Sequence, residues 1–343
     1  MDEIVVLDTG SLDDSVDIAR RFGARVFHHQ WSDDFSEARN AALDRARGDW
    51  ILYIDADERL VEPDRVKIEA LLSESSAVAF RLELRPGLQS SAYLEYRIWR
   101  NDPQIRFEGI IHETHLSAID RVARRDGSTV EIAPLLIQHV GYEGDQRRKH
   151  DRNLPLLRRE LERNPENLFV RHHLFRVLDA LRRPEEAESV LVEALTVTRR
   201  HDQSGQVDYL GSLIYADLIR LRLERGEDAD ALLAEARDRH PDNCALMWME
   251  SRLLLNAGHY EEAIDRLDQL LEVAGRNEPS VVAYEQRMLT EAPHEVRGLC
   301  LFRLGRYTEA AAEYEQAARF APDNASYPVK RELALARARR ANS

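Results

Sequence analysis

The first 140 residues alternate short apolar runs with helical stretches. Ile4-Val5-Val6-Leu7 is a β-branched run of strand length, ending at the turn signal Asp8-Thr9-Gly10-Ser11. Ser11 or Asp13 is placed to cap a helix through Val16, Ile18, Ala19 and Phe22, which Gly23 closes. Arg25-Val26-Phe27 reads as a second strand. Residues 35–46 read as a helix with Ala38, Ala41, Ala42 and Ala46 on a small-residue face. Trp50-Ile51-Leu52-Tyr53-Ile54 is then a buried strand running straight into Asp55. Strand, helix, strand, helix, strand predicts a doubly wound α/β layer. Further strands are expected over residues 77–84, 96–99 and 130–137. No long helices separate them, so this part of the sheet is expected to be mixed or antiparallel.

After about residue 145 the strand signals vanish and amphipathic helices follow one another to the end of the sequence. The clearest unit contains Gly298, Leu301, Gly305, Tyr307, Ala310, Tyr314, Ala317 and Pro322. These offsets fit the helix-turn-helix tetratricopeptide repeat, whose period is about 34 residues. Small residues at Gly298, Ala310 and Ala317 permit close helix crossing, and Tyr314 fills the adjoining groove. Gly258-His259-Tyr260-Glu261-Glu262-Ala263 repeats the same turn and second-helix start. Weaker copies run through Ala229, Leu233, Ala236 and Pro241, and through Glu185-Glu186-Ala187 with Leu191 and Ala194. The spacing is uneven, with an insertion over residues 277–290, and the expected count is about four repeats. The division on this reading is 1–144 for the α/β domain and 145–343 for an all-α helical solenoid.

Composition narrows the picture. The chain of 343 residues is 43% hydrophobic and 32% charged, as expected of a globular protein. No apolar run approaches the ~20 residues that span a bilayer, and the start, Met1-Asp2-Glu3-Ile4, is acidic where a secretory signal is basic. The two cysteines, Cys244 and Cys300, sit inside apolar helical patterns and read as core thiols. A cytoplasmic, reducing compartment is therefore expected. A net charge of −14 argues against a general nucleic-acid binder. Arg124-Arg125 and Arg147-Arg148-Lys149 are local basic exceptions, read first as solvated helix ends.

The strongest chemical signal is the apolar strand ending in Asp55-Ala56-Asp57-Glu58. In an open α/β sheet, ligands bind beyond the carboxyl ends of the strands. Two carboxylates one residue apart there can serve one hard cation and leave its other positions to phosphate oxygens and water. Acidic residues can also simply solubilise a strand end; position and context raise this pair above that reading.

The context is a resemblance. Asp2 to Ser11 resembles the second strand and turn of family 2 glycosyltransferases of the GT-A fold, a Rossmann-like architecture. Phe35-Ser36-Glu37-Ala38-Arg39-Asn40 resembles that family's Arg-Asn helix, and Trp50 to Glu58 its D-x-D strand. Order and spacing are similar to the branch that carries C-terminal tetratricopeptide repeats, across roughly the whole chain. The resemblance implies that Asp8 contacts the nucleotide base, that Arg39 sits beside the nucleotide or braces the acidic cluster, that Asp55 lies near ribose and metal, and that Asp57 ligates the metal directly. Mn²⁺ or Mg²⁺ and a nucleotide-sugar donor follow. Arg97 to Asn101, Ile105 to Gly109 and His112-Glu113 also match the branch. His112 and Glu113 fall where the family places acceptor-site groups. An inverting transfer needs a base for the acceptor proton; Glu113 is the first candidate and Glu108 the second, against salt bridges to Arg97, Arg100 or Arg106. His139-Val140-Gly141-Tyr142 resembles the loop closing over the diphosphate, with His139 a further metal ligand, since imidazole suits Mn²⁺ better than Mg²⁺. His28 and His29, adjacent on a strand, point to opposite sides and receive no role.

In the resembled fold a strand, loop and helix of roughly 30 residues precede the strand ending at Asp8. The first strand lies between those ending at Asp8 and Asp55. Without it, each buried orphan backbone group would cost ~1–3 kcal/mol. The expectation is an N-terminally shortened domain: either the native chain is longer, or the copy has lost transfer activity. The leading reading is a metal-dependent, inverting transferase with an unidentified acceptor. One rival is a non-catalytic tetratricopeptide adaptor taking a peptide or protein partner on its repeat surface. A metal-dependent phosphohydrolase is the other, disfavoured because no second acidic cluster completes a two-metal centre.

Overall fold

The structure is a computed structural model that describes residues 2–87, 89–140, 147–203, 209–276 and 283–341. Its elements in chain order are β1 (Val5–Asp8), α1 (Ser15–Arg21), β2 (Arg25–His28), α2 (Phe35–Leu43), β3 (Trp50–Leu52), β4 (Glu58–Leu60), α3 (Arg65–Glu74), β5 (Ala79–Arg85), β6 (Tyr93–Arg100), α4 (Leu116–Asp126) and β7 (Val130–His139). Helices follow: α5 (Arg147–Arg163), α6 (Leu168–Ala180), α7 (Pro184–Gln203), α8 (Tyr209–Glu224), α9 (Asp230–Arg239), α10 (Cys244–Ala257), α11 (Tyr260–Gly275), α12 (Glu291–Arg303), α13 (Tyr307–Phe320) and α14 (Ser326–Ala341). A 3-10 turn at Gln286–Leu289 precedes α12. The chain divides into two compact units. One comprises Met1–Gly87 and Ala92–Gln206, and the other Leu88–Ser91 and Val207–Ser343.

The first unit is an α/β fold whose strands form two sheets. β1 and β2 pair in parallel, Val5 opposite Arg25 through Asp8 opposite His28. A five-stranded sheet runs in the order β3-β6-β5-β7-β4. It is mixed: β5 is parallel to β7 and antiparallel to β6, and β3 and β4 are antiparallel to their neighbours. The sequence pattern predicts one doubly wound layer through β1, β2 and β3. In the structure β1 and β3 belong to different sheets.

Alternation sets the two faces of the larger sheet. Phe80, Leu82, Leu84, Ile98 and Ile137 pack with Ala77 and Ala133 in one cluster. Val78, Ala79 and Trp99 join Ile105, Phe107, Ile119 and Val122 in another. β7 runs through Pro134, which has no N–H for a ladder. Its pairing with β5 shifts there, from Arg81 opposite Ile132 to Glu83 opposite Leu136. Helix α4 buries Ala118, Ile119 and Val122, spaced for one face, and stops at Gly127, whose φ of 65° is left-handed. Three helices of the sequence's helical half, α5 to α7, belong to this first unit.

The second unit carries the helix pairs α8–α9, α10–α11 and α12–α13, with α14 packed on α13. Asn243 caps α10 by accepting from the Leu246 amide at 3.0 Å, and Gly258 ends that helix at φ 82°. The core between α11, α12 and α13 is made of Ala263, Ile264, Leu267, Val296, Leu301, Ala310 and Tyr314. Cys300 belongs to the same core and Cys244 lies buried on α10; both are free thiols. Burial pushes each up to about 11, so both stay protonated and inert. No described helix is long and apolar enough to cross a membrane.

Candidate functional site

The site forms where the chain leaves β3. Tyr53 extends the strand's pairing, its amide donating to the Arg97 carbonyl at 2.9 Å. The backbone then turns through Asp55-Ala56-Asp57 into β4. Glu58 closes the turn twice: its amide donates to the Asp55 carbonyl at 3.0 Å, and its carboxylate accepts from the Asp55 amide at 2.8 Å. Arg97 of β6 grips the same carboxylate with two hydrogen bonds of 2.9 and 2.8 Å, in a pair almost wholly out of solvent. Such a fork fixes orientation as well as charge. Glu95 also accepts from Arg97, at 2.8 Å; burial first, opposed by Arg97, raises its carboxyl above the ordinary range.

β4 is what brings His139 to the acidic turn. In the β4–β7 pair Glu58 stands opposite His139, and the Val140 amide donates to the Asp57 carbonyl at 2.8 Å. His139 Nε2 lies 3.1 Å from Asp57 Oδ2. An oxygen and an imidazole nitrogen therefore converge at the turn. One oxygen of Asp55 is engaged away from this pair: its Oδ1 accepts from the Tyr53 hydroxyl at 2.9 Å and from Arg39 at 3.2 Å. Gly141 and Tyr142, the rest of the segment compared with a diphosphate loop, lie outside the described residues.

Helix α2 supplies Arg39. Asp34 caps it, accepting from the Glu37 amide at 3.0 Å. Arg39 lies between two carboxylates, Asp55 and Glu113, and packs on the Tyr53 ring at 4.4 Å from its centroid. The next residue, Asn40, holds the loop that carries Glu113: its side-chain amide donates to the Phe107 carbonyl and accepts from the Phe107 amide, each at 2.9 Å. From α5, the Glu160 carboxylate takes the Ile110 amide of the same loop at 2.8 Å. The Glu113 side chain is thus 8% exposed and ion-paired, with Arg39 as partner rather than Arg97, Arg100 or Arg106. Glu108 stands apart from this cluster. It pairs with Arg121 at 2.9 Å, and both side chains are more than half exposed. His112 stacks on His173 of α6, ring centroids 3.5 Å apart, with backbone φ at 52°.

Asp8 occupies the end of β1. It accepts from the Ser11 amide at 3.0 Å and meets His28 Nδ1 at 3.1 Å. Hydrogen bonds from Ser11, hydroxyl and then amide, hold its carboxyl at about 2. Thr9, Gly10, His28, His29, Gln30 and Trp31 line an open hollow of about 480 Å³ beside it. His28, given no role on sequence, is thus Asp8's neighbour, and the register of β1 against β2 puts it there. His29, the residue after β2, lines the same hollow and approaches Glu37 with its Nε2 at 3.3 Å.

The residues assigned from the sequence therefore fall into three places. Asp55, Asp57, His139, Arg39 and Glu113 share one network, Asp8 lies at the β1 hollow, and Glu108 is on the surface. Sequence reasoning missed Tyr53, Glu58, Arg97 and Asn40. Each had a local signal, since Tyr53 and Glu58 flank the acidic pair, Asn40 follows Arg39, and Arg97 opens the matched Arg-Ile-Trp-Arg-Asn run. Across the network, Asp55, Asp57, Glu58, Glu95 and Glu113 face two guanidiniums, Arg39 and Arg97. The excess of negative charge favours a cation. Among the described residues no group of three or more metal-ligating side chains converges. Asp57 with His139 is a pair of one carboxylate and one imidazole, both ligand types that divalent cations accept.

The profile of the family described as "Glycosyl transferase family 2" matches residues 1–74, and tetratricopeptide repeat profiles match residues 220–283 and 292–324. A TPR repeat-containing protein of Synechococcus elongatus is 37% identical over 179 residues, covering 50% of this chain and 44% of that protein. The SPbeta prophage-derived glycosyltransferase SunS of Bacillus subtilis is 26% identical over 252 residues, covering 66% of this chain and 58% of its own length. The chain thus spans about half the length of these curated relatives. Among solved structures, BtubC from P. vanneervenii is similar with a TM-score of 0.44 and 15% identity, over 56% of this chain and 83% of that one. With its acidic turn at the end of β3 and its helix pairs further on, the chain joins a segment that matches the family 2 glycosyltransferase profile, residues 1–74, to tetratricopeptide repeats.

Proposed function

We propose that the chain is a metal-dependent, inverting glycosyltransferase that moves a sugar from a nucleotide donor to an acceptor hydroxyl. The observation that carries this reading is the approach of Asp57 and His139, clasped by β4 and β7 beside the Arg39–Asp55–Glu113 network. Asp57 and His139 would hold a divalent cation, Mn²⁺ or Mg²⁺, which neutralises charge on a departing diphosphate when bound. Asp55 would face the ribose and metal, and Asp8 the base across the β1 hollow. The acceptor oxygen attacks the anomeric carbon as the bond to the diphosphate breaks, and Glu113 takes the acceptor proton. Glu113 is preferred over Glu108 because it alone shares an arginine with Asp55. The repeats would offer a protein or peptide acceptor a surface.

The test is Asp57→Ala, with Mn²⁺-dependent binding of UDP, GDP, ADP and CDP measured by calorimetry. Loss of metal-dependent binding by at least about a hundredfold is expected, at an unchanged thermal midpoint, for a lost charged ligand. Unchanged affinity would remove this site from the reaction. The competing reading, a non-catalytic adaptor, predicts no metal-dependent nucleotide binding by the unaltered chain.

A further inference from the structure

Tyr53 stands two residues before Asp55 and touches three charged members of the site, Asp55, Arg39 and Arg97. The Arg39 and Arg97 guanidiniums pack on its ring at 4.4 and 4.7 Å from the centroid. Phe107 meets the ring edge-on at 5.5 Å. Its hydroxyl and Arg39 both donate to the same oxygen of Asp55, Oδ1, at 2.9 and 3.2 Å. Among the described residues no hydrogen bond to Oδ2 accompanies these two.

Resting on the nucleotide-site reading of Asp55-Ala56-Asp57, we propose that Tyr53 is a positioning residue that anchors Asp55 through Oδ1 and so keeps Oδ2 available to the metal–nucleotide complex. The physical reason lies in arginine geometry. A guanidinium and a carboxylate left to themselves adopt a two-point fork that uses both oxygens. Here the Tyr53 hydroxyl competes for Oδ1 and holds Arg39 to a single contact with it. Ring packing fixes where the hydroxyl lies, because Arg39 and Arg97 are themselves tied to Glu113 and Glu58. Without the hydroxyl, Asp55 is free to turn both oxygens onto Arg39 and withdraw from the substrate side.

Tyr53→Phe isolates the hydroxyl and keeps the ring between its cations. With Mn²⁺ and the nucleoside diphosphate that binds the unaltered chain, the variant is expected to bind about tenfold more weakly, at an unchanged thermal midpoint, as for one hydrogen bond to a charged group. Asp55→Asn supplies the second arm. If Tyr53 acts through Asp55, adding Tyr53→Phe to Asp55→Asn costs nothing further. Full affinity in Tyr53→Phe, or additive losses in the double variant, would overturn the proposal while leaving the site in place. Should Asp57→Ala bind as well as the unaltered chain, or should the unaltered chain bind none of the four diphosphates, the site itself fails and this role with it.

Discussion

Between β4 and β6 the interior of the first unit is spanned by the Glu58–Arg97 ion pair, whereas between α12 and α13 of the repeats it is filled by Gly298 against the ring of Tyr314. The contrast is general. Among the described residues, the buried charged side chains Asp8, Glu58, Arg97 and Glu160 all lie in the first unit, and the polar residues buried in the second are Ser212 and Ser251. Burying charge is expensive and seldom stabilises relative to a well-packed apolar core. A repeat has only to stack on its neighbours, so shape suffices there. The first unit spends stability to hold Asp55, Asp57 and Glu113 in fixed places. The difference separates an interior packed by shape from one tied together by charge.

The largest effect is expected where the charged interior is broken on one side. Arg97→Met removes both hydrogen bonds to the buried Glu58 carboxylate and strands it. Loss of about 3–5 kcal/mol is expected, the usual penalty for an orphaned buried charge. Urea unfolding of the first unit checks it. Adding Glu58→Leu should recover much of that stability without restoring Mn²⁺-dependent binding. If Arg97→Met alone costs nothing measurable, the pair is not what holds this interior.

The repeats should instead be sensitive to volume. A Cβ at Gly298 would lie 2.8 Å from Tyr314 Cε1 and 3.0 Å from two more ring atoms, and the ring is buried. Overpacking of this kind costs roughly 1–3 kcal/mol, offset by about 1 kcal/mol of helix propensity gained over glycine. Gly298→Ala is therefore expected to lower the stability of the second unit by about 1 kcal/mol and leave nucleotide affinity alone. An unshifted unfolding midpoint would show that Tyr314 yields freely.

How much of this could be read in advance follows the same division. Shape-based packing leaves a local trace: Gly298, Tyr307, Ala310, Tyr314 and Ala317 are spaced as the repeat requires, and α12 and α13 lie where that spacing predicts. The apolar run into Asp55 likewise gave β3 its place. Strand β4 was missed because three residues, Glu58-Arg59-Leu60, carry no apolar period; its partner β7 defines it, and that pairing seats His139. α3 and α4 were missed too, although Ala118, Ile119, Val122 and Gly127 hold a helix signature for the latter. Arg39 and Glu113 lie 74 positions apart, and such partnerships have no local signal. Nothing in its own neighbourhood separates Glu113 from Glu108; only the fold does.

A final, smaller effect should distinguish the units by acid. His115 is buried against Trp99 and Phe107, ring centroids at 4.3 and 4.7 Å, with no partner for Nε2 among the described residues. Burial first, then Arg97 and Arg39, lowers its pKa from 6.5 to about 4. His112 is lowered to about 4 as well, again chiefly by burial. The folded state therefore refuses protons that the unfolded chain accepts below pH 6.5. This contribution is whole above pH 6.5 and lost as the pH falls from there toward 4, about 1 kcal/mol for His115 at pH 5.5. The unfolding transition that Arg97→Met displaces should move to lower temperature between pH 7 and pH 5.5. His115→Phe, which keeps the ring stack, should reduce that movement while changing little at pH 7. The transition that Gly298→Ala displaces should respond far less over the same range, since neither histidine belongs to that unit. Equal acid sensitivity of both transitions, or a His115→Phe variant as acid-labile as its parent, would break the comparison between a charged interior and an apolar one.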